Sequence, residues 1–493
     1  MKRVASGILP MIAVDRKAPT ALHRQIYDRY RAAILDGSLR RGQRIPSTRV
    51  LASELGVSRF PVLNAYAQLL AEGYVESRVG AGTVVSSLLP DDLTRSLPVG
   101  VRPVASRSRP RPIARQATCI RNIEKLSWLG GWGAFGVGQV AAEQFPHHIW
   151  SRLIAHCMRN RDAVSFHYGN RMGSEALRET IASYLRTARS VHCTADQVMI
   201  VSGSQQALDI TARVLLDSQS SVWVEEPGYQ GAREVFALTS SRVIPVPVDQ
   251  EGMDVAAGIR RCRKARAAFV TPSHQFPLGG TMSAARRFQL LDWAQSAGSW
   301  IIEDDYDSEY RYESSPIACL QGLDSSARVI YIGTFSKVLF PSLRLGYIVV
   351  PLDLVDHFLV VRRAMDLGPP TFYQNVLAHF IDEGHFARHI RRMRILYRER
   401  RSELVNSINR EFGPMAEVLG DEAGMHLAIT LPSAIRDVEI AERAARQNLW
   451  IWPLSPQYIS EVSRSGFVLG FGSTSVEEIP RSIRKLRNLL PGK

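Results

Sequence analysis

The chain has 493 residues, 45% of them hydrophobic and 22% charged, which suits two or more packed domains and excludes wholesale disorder or a collagen-like repeat. No apolar run approaches the roughly 20 residues of a membrane helix. Pro10, Asp15 and Arg16 interrupt the stretch behind Lys2 and Arg3, so no secretory leader is expected. The net charge of +14 lies at one end: residues 1–90 hold 13 Lys/Arg against 6 Asp/Glu, residues 91–123 hold 7 against 2, and residues 124–493 hold 41 against 39.

That asymmetry points to a polyanion partner for the N-terminal part and a different task for the rest. The five cysteines (119, 157, 193, 262 and 319) are scattered without a CxxC pair. Their pattern suits a reducing compartment and neither a disulfide framework nor a thiolate metal site, so a cytoplasmic chain without a bound metal is expected.

In chain order, Leu22–Leu35 reads as an amphipathic helix, with Ile26, Tyr30, Ala33 and Ile34 on one face and Gly37 and Gly42 behind it. Ser47 is a candidate N-cap for a second helix carrying Val50, Leu51 and Leu55, which Gly56 ends. A third helix is expected from Arg59 to about Gly73. Residues 74–79 and 83–85 then flank Gly80-Ala81-Gly82 as a small β-hairpin. Two helices across a glycine turn, followed by a hairpin, form a winged helix-turn-helix. The stretches LHRQIYDRYRAAILDGSLRRGQRIPS, PSTRVLASELGVSR and NAYAQLLAEGYVESRVGAGTVV resemble the GntR-type winged domain. The resemblance implies binding to double-stranded DNA through Arg49, Ser58, Arg59 and the wing residues Gly80, Gly82 and Thr83. Pro61 stands where that family usually has Thr, which removes one hydroxyl from the expected contacts.

Residues 89–125 are rich in Arg, Ser and Pro, with no acid from Leu93 to Ile123, and read as a basic linker between domains at 19–88 and 126–493. Extended at about 3 Å per residue, it would reach about 110 Å. Beyond it, apolar runs at 198–201, 221–225, 267–271, 300–303 and 329–333 alternate with helical segments. Such alternation predicts a mostly parallel sheet covered by helices on both faces, an α/β architecture.

Four segments at the ends of these runs carry chemistry. Thr334, Ser336 and Lys337 follow the run at 329–333, with Arg344 seven residues on. An amine beside hydroxyls and a guanidinium suits an aldehyde cofactor that also carries a phosphate. Ser204 and Gln205 open a helix after a strand, where free N–H groups favour a phosphate. Asp304 closes the run at 300–303 and suits a partner for a protonated pyridine nitrogen. Tyr229, in Glu225-Glu226-Pro227-Gly228-Tyr229, suits a ring-stacking position.

Together these segments resemble fold-type I aminotransferases, and with the winged domain in front the whole chain resembles the MocR family of bacterial regulators. Residues 165–347 carry that pattern nearly continuously, including YGNRMGSEALRETIASYL, TPSHQFPLGGTMS and EDDYDSEYRY. The resemblance implies pyridoxal 5'-phosphate as cofactor and a small C-terminal α+β subdomain. It gives Lys337 the Schiff base, Asp304 the pyridine nitrogen, Tyr306 the ring hydroxyl, Tyr229 the stacking position, and Ser204, Gln205, Thr334, Ser336 and Arg344 the phosphate.

Two departures bear on activity. Phe276 stands before Pro277 where such enzymes carry Asn, leaving His274 or Gln275 as substitutes. Phe467 is expected where an arginine usually clamps the substrate carboxylate, with Arg464 nearby as a displaced replacement. Two functions remain open: a homodimeric regulator sensing an amine, an amino acid or pyridoxal phosphate itself, with weak or vestigial transaminase turnover; or an active aminotransferase with a DNA-binding appendage.

Overall fold

The structure, a computed structural model, describes residues 13–78, 82–90, 112–114, 116, 128, 130–159, 167–312 and 318–490. The chain separates into two compact units, residues 1–112 and 113–493. Gly80 and nearly all of the basic linker lie outside the described residues.

The first unit contains α1 (Leu22–Leu35), α2 (Thr48–Glu54) and α3 (Arg59–Ala71), then an antiparallel hairpin of β1 (Val75–Arg78) and β2 (Gly82–Val85). Helix α1 buries Ile26, Tyr30, Ala33 and Ile34, the stripe its apolar spacing predicts, against Val62, Ala65 and Leu69 of α3. Ser47 caps α2 by accepting a hydrogen bond from the Val50 N–H at 3.3 Å. The Tyr66 hydroxyl donates to the Pro46 carbonyl at 3.0 Å, fixing α3 to the segment that leads into α2.

The second unit opens with α4 (His147–Arg159) and α5 (Glu175–Arg189), followed by β3 (Val198–Val201), α6 (Ser204–Leu215), β4 (Ser221–Glu226), α7 (Gln230–Leu238) and β5 (Arg242–Asp249). Next come β6 (Gly252–Met253), α8 (Val255–Cys262), β7 (Ala267–Val270), α9 (Ala284–Ala297), β8 (Trp300–Asp305), α10 (Leu320–Leu323), β9 (Val329–Thr334) and β10 (Gly346–Val349). The eight strands form one sheet in the order β3-β10-β9-β8-β7-β4-β5-β6. Neighbours run parallel from β9 through β5, while β10 and β6 pair antiparallel. Side-chain alternation sends Ile302, Ile330 and Ile332 to the face covered by α6, α7 and α11 (Val355–Asp366), and Ile301, Val329 and Tyr331 to the opposite face. Both faces are covered, so the strands read as continuous apolar runs.

Helices α12 (Phe372–Asp382) and α13 (His385–Phe412) lead into a smaller antiparallel sheet, β11-β12-β14-β13. Its strands are β11 (Glu417–Leu419), β12 (His426–Leu431), β13 (Trp452–Pro453) and β14 (Ser465–Gly470), with α14 (Asp437–Ala445) and α15 (Ile479–Leu489) alongside. Leu404, Ile408, Leu427, Ile429, Phe467, Leu469 and Ile483 form its core. This is the α+β subdomain expected at the C-terminal end.

Candidate functional site

The C-terminal ends of parallel strands are where an open α/β sheet leaves a crevice. Here β3, β8 and β9 end at Val201, Asp305 and Thr334, and the turns that follow supply a pocket enclosing about 220 Å³. Ser204, Gln205, Tyr229, Asp304, Tyr306, Thr334, Ser336, Lys337 and Arg344 all line it. The remaining lining includes Val137, Gly138, Thr271, Phe276, Asp307, Met425, His426 and Trp452.

Lys337 lies in the turn after β9, and its Nζ donates to the Gly138 carbonyl at 3.3 Å. Gly138 has φ +75°, a backbone that favours glycine, and a Cβ there would push the Lys337 Nζ aside. Burial pushes the Lys337 pKa down, against the opposing pull of Asp307 and Asp304.

Three consecutive acids end β8, and the structure gives them three different fates. Glu303 accepts the Leu320 and Gln321 N–H groups at 2.9 and 3.0 Å. Asp305 pairs with Arg189 at 2.6 Å and accepts the Tyr331 hydroxyl. Asp304, on the other side of the strand, lines the pocket, and its buried Oδ1 has no partner. Burial, reinforced by Asp305 and Asp307 and opposed by Lys337, pushes its pKa up to about 8.

Opposite, Gly203 caps α6 at φ +105° and leaves first-turn N–H groups beside Ser204 and Gln205. The Arg344 guanidinium comes within 3.5 Å of where a Gly203 Cβ would stand. Arg344 itself holds a left-handed backbone, φ +51°, which a non-glycine residue rarely adopts. The Ser336 N–H donates to Thr334 Oγ1 at 3.2 Å, fixing this turn. Tyr229 meets Phe276 edge-on, centroids 5.7 Å apart.

The two proposed substitutes for Asn have separated. The Gln275 amide donates to the Pro227 and Phe276 carbonyls at 2.9 and 2.6 Å and accepts from the Leu278 N–H, so it ties its own loop to the turn after β4. His274 reaches the pocket through Tyr306: the Tyr306 hydroxyl donates to the His274 carbonyl at 2.8 Å and lies 3.1 Å from Nδ1. Asp307 holds that same nitrogen at 3.1 Å. His426 lies with its ring centroid 4.6 Å from that of His274, and burial drives its pKa well below the usual histidine range.

The expected clamp position needs correction. Phe467 is fully buried in the small-domain core, and Arg464 is exposed ahead of β14; neither lines the pocket. Alternation along β12 and β14 puts Leu427, Ile429, Phe467 and Leu469 on the core face, so the face shared with His426 carries Val468. A one-residue slip in reading a strand exchanges its faces. Among the described lining residues, the lysines and arginines are Lys337 and Arg344.

Gly138, Met425, His426 and Trp452 were missed because they come from segments without a motif, brought to the pocket by the small domain and the chain entering the second unit. Asp307 could have been found: it sits three residues after Asp304 in EDDYDSEY.

In the first unit, Arg49, Ser58 and Arg59 are exposed on α2 and at the start of α3. Ser58 N-caps α3 without a side-chain capping bond, and Arg59 Nε donates to Thr48 Oγ1 at 3.1 Å. Gly82, φ +81°, and Thr83 begin β2.

Comparison with known proteins agrees with this two-part construction. Residues 22–85 match the family of bacterial regulatory proteins, gntR family, and residues 135–467 match aminotransferase class I and II. Along 97% of its length the chain is 40% identical to the probable rhizopine catabolism regulatory protein MocR of Rhizobium meliloti, covering 95% of that protein. Among solved structures, Pyrococcus horikoshii kynurenine aminotransferase, in complex with PMP, is similar with TM-score 0.71 and 28% identity over 76% of this chain and 96% of its own. The Thermus thermophilus α-aminoadipate aminotransferase LysN, complexed with N-(5'-phosphopyridoxyl)-L-leucine, gives TM-score 0.70 and 27% identity over 76% and 96%. The chain therefore belongs to the MocR-type regulators, in which a gntR-family domain precedes an aminotransferase class I and II domain.

Proposed function

We propose that the chain is a DNA-binding transcription regulator whose second unit holds pyridoxal 5'-phosphate and uses it to sense an amine, an amino acid or the cofactor itself. The observation that carries this reading is the convergence of Lys337, the unpartnered Asp304 and the Gly203–Gln205 turn on one pocket, in a chain that also carries a basic winged helix. These groups fit the cofactor. A buried carboxylate without a partner suits a protonated ring nitrogen, and helix N–H groups beside Ser336 and Arg344 suit a phosphate.

When bound, pyridoxal phosphate supplies an aldehyde that bonds an amine and a ring that withdraws electrons. The chain's own residues do the rest. Burial favours the neutral, nucleophilic form of the Lys337 amine. Asp304 would hold a positive charge on the ring nitrogen and Tyr229 would stack on the ring, while the Asp307–His274 pair fixes the Tyr306 hydroxyl. A ligand amine bound to the cofactor in place of Lys337 would leave the lysine amine free in the pocket beside Asp304 and Asp307. That change of packing distinguishes two states.

Turnover is expected to be slow, because no lysine or arginine beyond Lys337 and Arg344 is found among the described lining residues to orient a substrate carboxylate. The complete lysine–aspartate set favours a second reading, an active aminotransferase. Sustained oxo-acid formation from an amino donor would establish it. The regulator works in the bacterial cytoplasm as a pair of copies binding paired half-sites; no described helix is long and apolar enough to cross a membrane.

Borohydride reduction of the cofactor-loaded chain, followed by peptide mapping, tests the assignment. Pyridoxyl is expected on Lys337 and is lost in Lys337→Ala; a label on another lysine contradicts it.

A further inference from the structure

Helix α3 presents an outward face that its charge does not explain. Val62, Ala65, Tyr66 and Leu69 are buried. At about 100° per residue, Phe60, Asn64 and Ala67 point away from them, with Leu63 alongside. Phe60 is 70% exposed and Leu63 41% exposed. None of these four residues is charged, whereas the cations Arg49 and Arg59 are exposed beside them.

An uncovered apolar face on a small domain signals a surface that works by being covered. The exposed arginines around it, and the excess of 13 Lys/Arg over 6 Asp/Glu in residues 1–90, select a polyanion as the cover. The uncharged strip then meets whatever lies between the phosphates. On the floor of a DNA major groove the one apolar group is the thymine methyl, and the group matched to an asparagine amide is the N6/N7 edge of adenine.

We propose that Phe60 and Leu63 read thymine methyl groups, and Asn64 an adenine, so that each operator half-site contains T·A pairs in the major groove under α3. The inference rests on the DNA-binding reading and adds to it the bases recognised. Arg59, held by Thr48 at the edge of this face, is left to a phosphate or a flanking base.

The test starts by selecting duplexes from a random pool with the full-length, cofactor-loaded chain, then replaces each thymine of the recovered sites with deoxyuridine. That change removes only the methyl group. Loss of about fourfold in affinity is expected for each contacted methyl, the value of one buried methyl-sized group. Phe60 is exposed, so Phe60→Ala should fold normally; it should lose the thymine–uracil difference at one thymine position, keep it at the position read by Leu63, and keep its nonspecific affinity. Recovered sites without T·A pairs, or equal affinity for thymine and uracil in the unaltered chain, overturn the inference and leave DNA binding standing. Recovery of no duplex at low salt overturns the DNA-binding reading and this inference with it.

Discussion

A buried carboxylate without a partner carries a proton that it would shed in water, and Asp304 is in that position. Its pKa rises from an ordinary 3.8 to about 8, chiefly through burial. Between those values the cofactor-free folded chain holds a proton that the unfolded chain has lost. Stability therefore falls as pH rises through this window, by at most about 1.4 kcal/mol per pH unit for the one proton. Glu225, Glu303 and Glu309, each raised to about 7 by burial, act in the same direction, so the informative quantity is a difference. Asp304→Asn is expected to lose stability less steeply than the unaltered chain between about pH 5 and about pH 8, measured by denaturant unfolding without cofactor. Identical pH profiles would remove Asp304 from the account. At this scale the sequence was readable where a residue sat in a motif at a strand end, as Lys337 and Asp304 do. It was misread at Phe467, because a lone apolar strand does not announce which of its faces is core.

Elements were legible in proportion to how local their causes are. The apolar runs of β3, β4, β7, β8 and β9 declare buried strands without reference to anything distant, and Ser47 declares the start of α2 by capping it. Ser47→Ala should cost about 1 kcal/mol of local stability. Hydrogen exchange in the full chain should then show the α2 amides exchanging about fivefold faster, with α3 less affected; unchanged α2 exchange would mean the cap contributes nothing. The small-domain elements were harder to read. Helix α13 is rich in arginine and buries a stripe including Phe386, Met393, Tyr397, Leu404 and Ile408, and β13 is two residues long. Their contribution to the pocket, through Met425, His426 and Trp452, depends on packing across more than a hundred residues of sequence, which no local pattern records.

At the scale of the whole molecule, charge divides the labour: a basic N-terminal quarter for DNA, and a nearly neutral remainder holding a buried amine and carboxylate. The central claim is that events at Lys337 alter DNA affinity, and a ligand can do so only by the difference in its affinity for two states, typically about 5- to 150-fold. The most direct measurement is one titration with two readouts. The cofactor-loaded full-length chain, bound to a duplex recovered by selection, is titrated with amines, amino acids and pyridoxal phosphate while cofactor absorbance and DNA affinity are followed together. The account predicts that a ligand changing the absorbance also shifts the DNA Kd within that range, and that Lys337→Ala still binds the duplex but loses the shift. A full absorbance change with an unaltered DNA Kd would contradict it.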